Sequence, residues 1–183
     1  VKMSLGIEKI SATNKGDHVE FSVVDNGEEK SYSFEKGLIA VGMTGNINGI
    51  GLEEVGIETD RGFISVDENY QTNVAGVYAI GDVAGPPLLA HAASHEGVVA
   101  AEHLSGKQPH PIDKMNIPGC TYCQPQVASV GYTERALKEQ GVEYKVGKLP
   151  FVANGKAVAS NEKEGFVKTL IGKHGELLGA HIV

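Results

Sequence analysis

The sequence predicts a mixed α/β chain that passes into an α+β portion, and three observations carry that expectation. An early stretch alternates apolar and polar side chains, the pattern of antiparallel strands with one wet face. Two short apolar runs, Gly37 to Gly42 and Val77 to Ile80, each meet a glycine, as buried strands of an α/β sheet do. From about Ile117, strand-like segments flank a single short helix. At 183 residues and 41% apolar content the chain can bury one good core, and its composition is that of an ordinary globular protein.

Taken in order, Val19 to Val24 alternates, Asp25-Asn26-Gly27 signals a turn, and Ser31 to Phe34 alternates again, which predicts a β-hairpin or meander. Gly37 to Gly42 then reads as a short buried strand, with Gly42 as its end. Val77-Tyr78-Ala79-Ile80 reads as a strand covered on both faces, stopping at Gly81, where something can approach the backbone closely. After the turn Gly85-Pro86-Pro87, the Leu-, Ala- and Val-rich stretch Leu88 to Ser105 reads as a helix with Gly106 as its C′ residue. Farther on come a strand near Ala128-Ser129-Val130, a helix from Glu134 to Gln140 capped by Thr133 and closed by Gly141, and strands near 144–151 and 165–171. Leu177 to Val183 is strand-like, and the chain has neither repeats nor low-complexity tracts.

Asp82 falls at the carboxyl end of the second apolar run, where open α/β sheets bind ligands. A carboxylate accepts hydrogen bonds only, so it can hold a ligand hydroxyl without adding a reactive group. An Asp in that position also serves in turns and caps, but the helix begins six residues later, too far for direct capping. The first amides of that helix lack intrahelical partners and carry partial positive charge, so a group developing negative charge beside them is stabilised.

These residues carry a resemblance. TNVAGVYAIGDVAGPPLLAHAASHEG, with GLEEVGIETDRGFISVDENYQT before it and IPGCTYCQPQVASVGYTERALKEQGVEYKVGKLPFVANGKA after it, resembles the pyridine nucleotide-disulfide oxidoreductases and, within them, the lipoamide dehydrogenase branch. The resemblance implies the tail of an NAD-binding domain as a β-meander (1–45), part of an FAD-binding domain (46–116) and an incomplete α+β dimerisation domain (117–183). It implies FAD at Gly81, Asp82, Leu88, Leu89, Ala90 and His91, with Asp82 on the ribityl chain and residues 88–91 along the pyrimidine end of the ring. It also implies NAD near the backbone of Gly42. Many relatives have Arg-x-Pro-Asn after that glycine, whereas this chain has Met43-Thr44-Gly45-Asn46, so no cation near the dinucleotide carries over.

The implied activity is that of an NAD-dependent dihydrolipoyl dehydrogenase, which oxidises a protein-bound dihydrolipoamide through a disulfide and FAD to NAD+. Its implied partners are the lipoyl-bearing protein of a 2-oxo acid dehydrogenase complex and a second copy of itself, in the cytoplasm or, in a eukaryote, the mitochondrial matrix. Each nucleotide cofactor takes a domain of ~100 to 150 residues, so the chain is expected to be a C-terminal-half fragment of a longer polypeptide. It holds no G-x-G-x-x-G after a strand and no H-P-T-x-S-E-like stretch, which in the family presents the catalytic base; neither His174 nor His181 is followed by Pro. No catalytic residue is therefore assigned, and the chain alone is expected to be inactive and to bind FAD weakly or not at all. A glutathione or mercuric reductase relative and a non-catalytic dimerisation module stand as alternatives; the LLAH and PFVANGKA runs favour the lipoamide branch.

Two motifs invite more than they carry. Cys120 and Cys123 form a C-x-x-C, but it follows Pro118-Gly119 in expected extended structure, without the helix N-terminus that activates a redox thiol. The pair is expected to pack as small buried hydrophobes. His91 and His95 share a helical face at i, i+4, yet a zinc site needs a third protein ligand, and no metal is expected. A net charge of −7 without a basic cluster argues against a nucleic-acid surface, and no apolar stretch is long enough for a bilayer.

Overall fold

The structure is a computed structural model that describes residues 7–40 and 42–183, with side chains from residue 10 onward. It divides into two compact units, Val1–Met43 and Thr44–Val183.

The first unit is an antiparallel meander of β1 (Ile7–Asn14), β2 (Val19–Asp25) and β3 (Glu28–Phe34). Asn26 and Gly27 both have positive φ, 52° and 79°, so the β2–β3 connection is the two-residue turn whose twist matches that of the strands. Phe21 packs edge-on to Phe34 across the pair, with ring centroids 6.1 Å apart. The meander expectation is borne out, but the strand expected over Gly37 to Gly42 is not. Residues 36–40 form no ladder, Leu38 is 90% exposed and Ile39 67%, and Val41 lies outside the described residues. An apolar run becomes a buried strand only when a neighbour covers it, and none does so among the described residues of this unit.

The second unit begins with a loop region holding the small hairpin of β4 (Thr59–Asp60) and β5 (Phe63–Ile64). Leu52, Ile64 and Ala79 form one core cluster, joined by Ile47, Ile57, Val66, Val83 and Ala84. A second cluster, Tyr70, Val99 and Ala100, ties the same region to α1 (Ala90–Leu104). The helix starts two residues later than expected because Leu89 is still extended, with φ −136°. It ends as expected. Gly106, at φ 83°, donates its N–H to the His103 carbonyl, and Lys107 donates to the Glu102 carbonyl, the double closure of a left-handed C-cap.

Val77 to Ile80 is extended but is not a strand covered on both faces. Its one ladder contact is the bridge of Tyr78 to Gln71, and Ile80 is 41% exposed. Ala79 points into the first cluster and Tyr78 packs against the second, so the apolar run reports two local cores, not a position in mid-sheet.

The rest of the unit is a five-stranded antiparallel sheet in the order β6-β7-β10-β9-β8, with two short helices between its strands. Its elements are β6 (Gly119–Thr121), β7 (Val127–Gly131), α2 (Glu134–Glu139), β8 (Tyr144–Pro150), α3 (Gly155–Ala159), β9 (Phe166–Gly172) and β10 (Leu177–Ile182). Thr133 caps α2, its hydroxyl accepting the Ala136 N–H at 3.2 Å, and Gly141 closes it at φ 68°. Leu137 of α2 and Leu170 of β9 are the largest fully buried side chains, each contributing about 1.5–3 kcal/mol. Cys120, on the edge strand β6, and Cys123, just after it, are both exposed, contrary to the expectation that they pack inside. An edge strand has only one neighbour, and the cysteines lie beyond the covered part of the sheet.

Candidate functional site

Gly81 opens a single turn of 3-10 helix, Gly81–Ala84, and this turn packs on α1. Small helix residues let the chain come close. A Cβ at Gly81 would lie 3.3 Å from the Ala93 methyl, and one at Gly97 would lie 3.3 Å from Ile80 Cδ1. Gly81 also has φ 73°, which an L side chain rarely adopts.

The backbone is tied down from the helix side. Gly81 donates its N–H to Glu96 Oε2 at 2.6 Å, and Glu96 is only 3% exposed. Glu96 lies in the buried stripe Ala92, Glu96, Val99, Ala100 of α1. Sequence reasoning missed it, although an acidic residue at i+4 within an apolar helical stripe is a readable signal. Burial, and then the Glu96 charge, push the Tyr70 phenol above its ordinary value.

From this anchored turn Asp82 faces outward. Its side chain is exposed and makes no hydrogen bond or ion pair among the described residues, while its carbonyl accepts the Gly85 N–H at 3.4 Å. Leu88 and Leu89 are half-buried, and Ala90 and His91 are exposed at the start of α1. The first helical bond runs from the Ala93 N–H to the Leu89 carbonyl, so the amides of Ala90, His91 and Ala92 precede the helical ladder. Since Gly81 touches Ala93, the turn and the first helical turn are neighbours.

His91 turns toward the five-stranded sheet. Its Nε2–H donates to the Pro118 carbonyl at 2.8 Å, and the ring borders a hollow shared with Cys120, Tyr122, Ala128 and Ala180. At the other end of α1, Tyr78 and His103 Nδ1 share a 2.9 Å hydrogen bond with their rings edge to face. A hollow of about 750 Å³ is lined by Asp60, Phe63, Tyr70, Pro86, Glu96 and Lys114 among others, and by neither Asp82 nor residues 88–91. Gly42 belongs to the first unit, at φ 121° with no atom within 4 Å of where a Cβ would sit.

Residues 1–97 match the pyridine nucleotide-disulphide oxidoreductase family, and residues 117–183 match the dimerisation domain of the same family. Among curated relatives, the chain is 51% identical over 182 residues to dihydrolipoyl dehydrogenase of Rhizobium etli, aligning 96% of this chain with 37% of that protein. It is 43% identical over 187 residues to the mitochondrial dihydrolipoyl dehydrogenase of Pisum sativum, aligning all of this chain with 37% of the relative. The chain therefore spans little more than a third of the length of these relatives. Among solved structures, LpdA from Mycobacterium tuberculosis superposes with a TM-score of 0.80 at 30% identity, over 94% of this chain and 38% of that one. By sequence over both segments, and by fold, the chain belongs to the pyridine nucleotide-disulphide oxidoreductase family.

Proposed function

We propose that the chain forms the flavin-contacting and dimerising part of an NAD-dependent dihydrolipoyl dehydrogenase, acting on a lipoyl-bearing protein of a 2-oxo acid dehydrogenase complex. Residues 1–45 end its NAD-binding domain, 46–116 belong to its FAD-binding domain, and 117–183 form part of the interface of a homodimer. The enzyme works in the cytoplasm or the mitochondrial matrix. The identity of 51% to a dihydrolipoyl dehydrogenase supports the branch.

One observation carries the cofactor reading: Asp82, an exposed carboxylate without a hydrogen-bond or ion-pair partner among the described residues, stands on a turn anchored to Glu96 of α1. The residues suit FAD. Asp82 accepts a ribityl hydroxyl, which needs an acceptor and no acid or base. The amides of Ala90, His91 and Ala92 offer donors and a helix-end field to the pyrimidine edge of the ring, with Leu88 and Leu89 beside it. Gly81 keeps this backbone close to the ligand, and Gly42 lets the dinucleotide approach the chain in the other domain. Bound there, FAD would supply two-electron chemistry between a dithiol and a nicotinamide. The chain's part is to hold the ring and to stabilise its reduced charge, while the dithiol and the proton-accepting base come from outside these residues.

The test is flavin affinity in the full-length enzyme. Asp82→Ala removes one charge-assisted hydrogen bond and is expected to weaken FAD about 10-fold or more, read by fluorescence titration of the apoenzyme. Unchanged affinity would remove Asp82 from the site. The 183-residue chain alone is expected to bind FAD weakly; tight stoichiometric binding by it would overturn that division of labour.

A further inference from the structure

We propose that Glu96 is the positioning residue of the cofactor turn: its buried carboxylate, by accepting the Gly81 N–H, fixes the backbone from which Asp82 projects. The inference rests on the flavin reading of Asp82 and adds a residue that does not itself touch the cofactor.

The geometry is specific. Glu96 sits in the apolar stripe of α1, 3% exposed, and makes no ion pair among the described residues. A buried anion without a cation is costly, and an aliphatic residue would pack the same stripe without that cost. What the carboxylate gains is one short charge-assisted hydrogen bond, 2.6 Å, to the amide that begins the turn. The neighbours are shaped for the same contact. Ala93 and Gly97 flank Glu96 on the helix, and their small size admits Ile80 and Gly81 to within van der Waals reach.

Without this bond, Gly81 is free to leave its left-handed conformation, since glycine tolerates either sign of φ. Asp82 then samples many directions before it meets a ribityl hydroxyl. Ordering it costs binding free energy, which a preorganised turn avoids.

Three substitutions in the full-length flavoenzyme test this. Glu96→Ala leaves the Gly81 N–H without its acceptor. Glu96→Gln keeps an oxygen acceptor but no charge. Val99→Ala, at a buried position one turn along α1, lowers stability without touching the turn. Hydrogen exchange measured by mass spectrometry on peptides spanning residues 77–84 is expected to speed up in Glu96→Ala, to recover largely in Glu96→Gln, and to stay unchanged in Val99→Ala. FAD affinity is expected to fall about 10-fold in Glu96→Ala and to return within about threefold in Glu96→Gln. The visible spectrum of the bound flavin should broaden in Glu96→Ala alone.

Exchange at Gly81 unaltered in Glu96→Ala overturns the proposal, and so does FAD weakened equally by Glu96→Ala and Val99→Ala at matched loss of melting temperature. The two readings fail separately. A loss in Asp82→Ala with none in Glu96→Ala sinks the positioning role alone. No loss in Asp82→Ala sinks the flavin reading, and exchange at Gly81 still decides whether Glu96 holds the turn.

Discussion

Glu134 shows at the scale of one residue how a surface carboxylate is tuned. It opens α2, where the helix-end charge favours an acid, and it accepts hydrogen bonds from Lys168 Nζ at 2.9 Å and from the Tyr144 hydroxyl at 3.3 Å. The Lys168 bond, first among several causes, holds its carboxyl below the ordinary range. A depressed native pKa stabilises the fold above the unfolded value and ceases to do so as pH falls through the native one. The melting temperature of Glu134→Gln should therefore lie below that of the parent chain at neutral pH, with the gap closing below about pH 4. A gap that persists at pH 3 would mean that packing, not charge, explains it. Tyr70 gives the opposite sign. Burial, then Glu96, raise its phenol, so stability is full below the unfolded value of about 10 and falls as pH climbs through the native one. Tyr70→Phe should flatten the alkaline limb of the melting profile and leave the acid limb unchanged.

The elements divide into those set by a few adjacent residues and those set by distant partners. Gly106 ends α1 at φ 83°, and replacing it with Ala should cost about 1 kcal/mol, read as a lower midpoint in urea with the same slope. The same chemistry made this end legible beforehand, as it did the Thr133 cap, the Gly141 stop and the Asn26-Gly27 turn: each depends on atoms within six positions. Strands β7 to β10 were likewise expected, as strand-like runs between turn signals. The apolar runs at 37–42 and 77–80 misled because a run of Val, Ile and Ala says that something covers it, not what. Ile80 and Leu38 have no covering strand among the described residues, whereas Ala79 is buried by Leu52 and Ile64, more than ten positions away in sequence. Of the candidate site, Gly81, Asp82 and the helix start were readable from residue type and spacing. Glu96 carried a signal, an acid within an apolar helical stripe, but its role was not readable, because the role of a buried acid depends on which amide the fold brings to it.

At the scale of the whole molecule, the proposed homodimer predicts which face of the five-stranded sheet is covered. Residues 117–183 match a dimerisation domain, and one face of β6, β7 and β10 presents Cys120, Ala128, Val130, Ala180 and Ile182 around an apolar hollow, with Tyr122 beside it 85% exposed. Register makes this a continuous surface, since Ala180 pairs with Val130, and Ile182 and Cys120 both pair with Ala128. An exposed contiguous apolar patch of this kind is the pattern of a protein interface. Ile182→Lys places a charge there without altering the core, because Ile182 is already 38% exposed. Sedimentation velocity should find the parent enzyme dimeric and the variant shifted toward monomer, with at least about a 10-fold weaker association. If Ile182→Lys stays dimeric while Val146→Lys on β8, 48% exposed at the far edge of the sheet, dissociates, the contact lies around that edge instead.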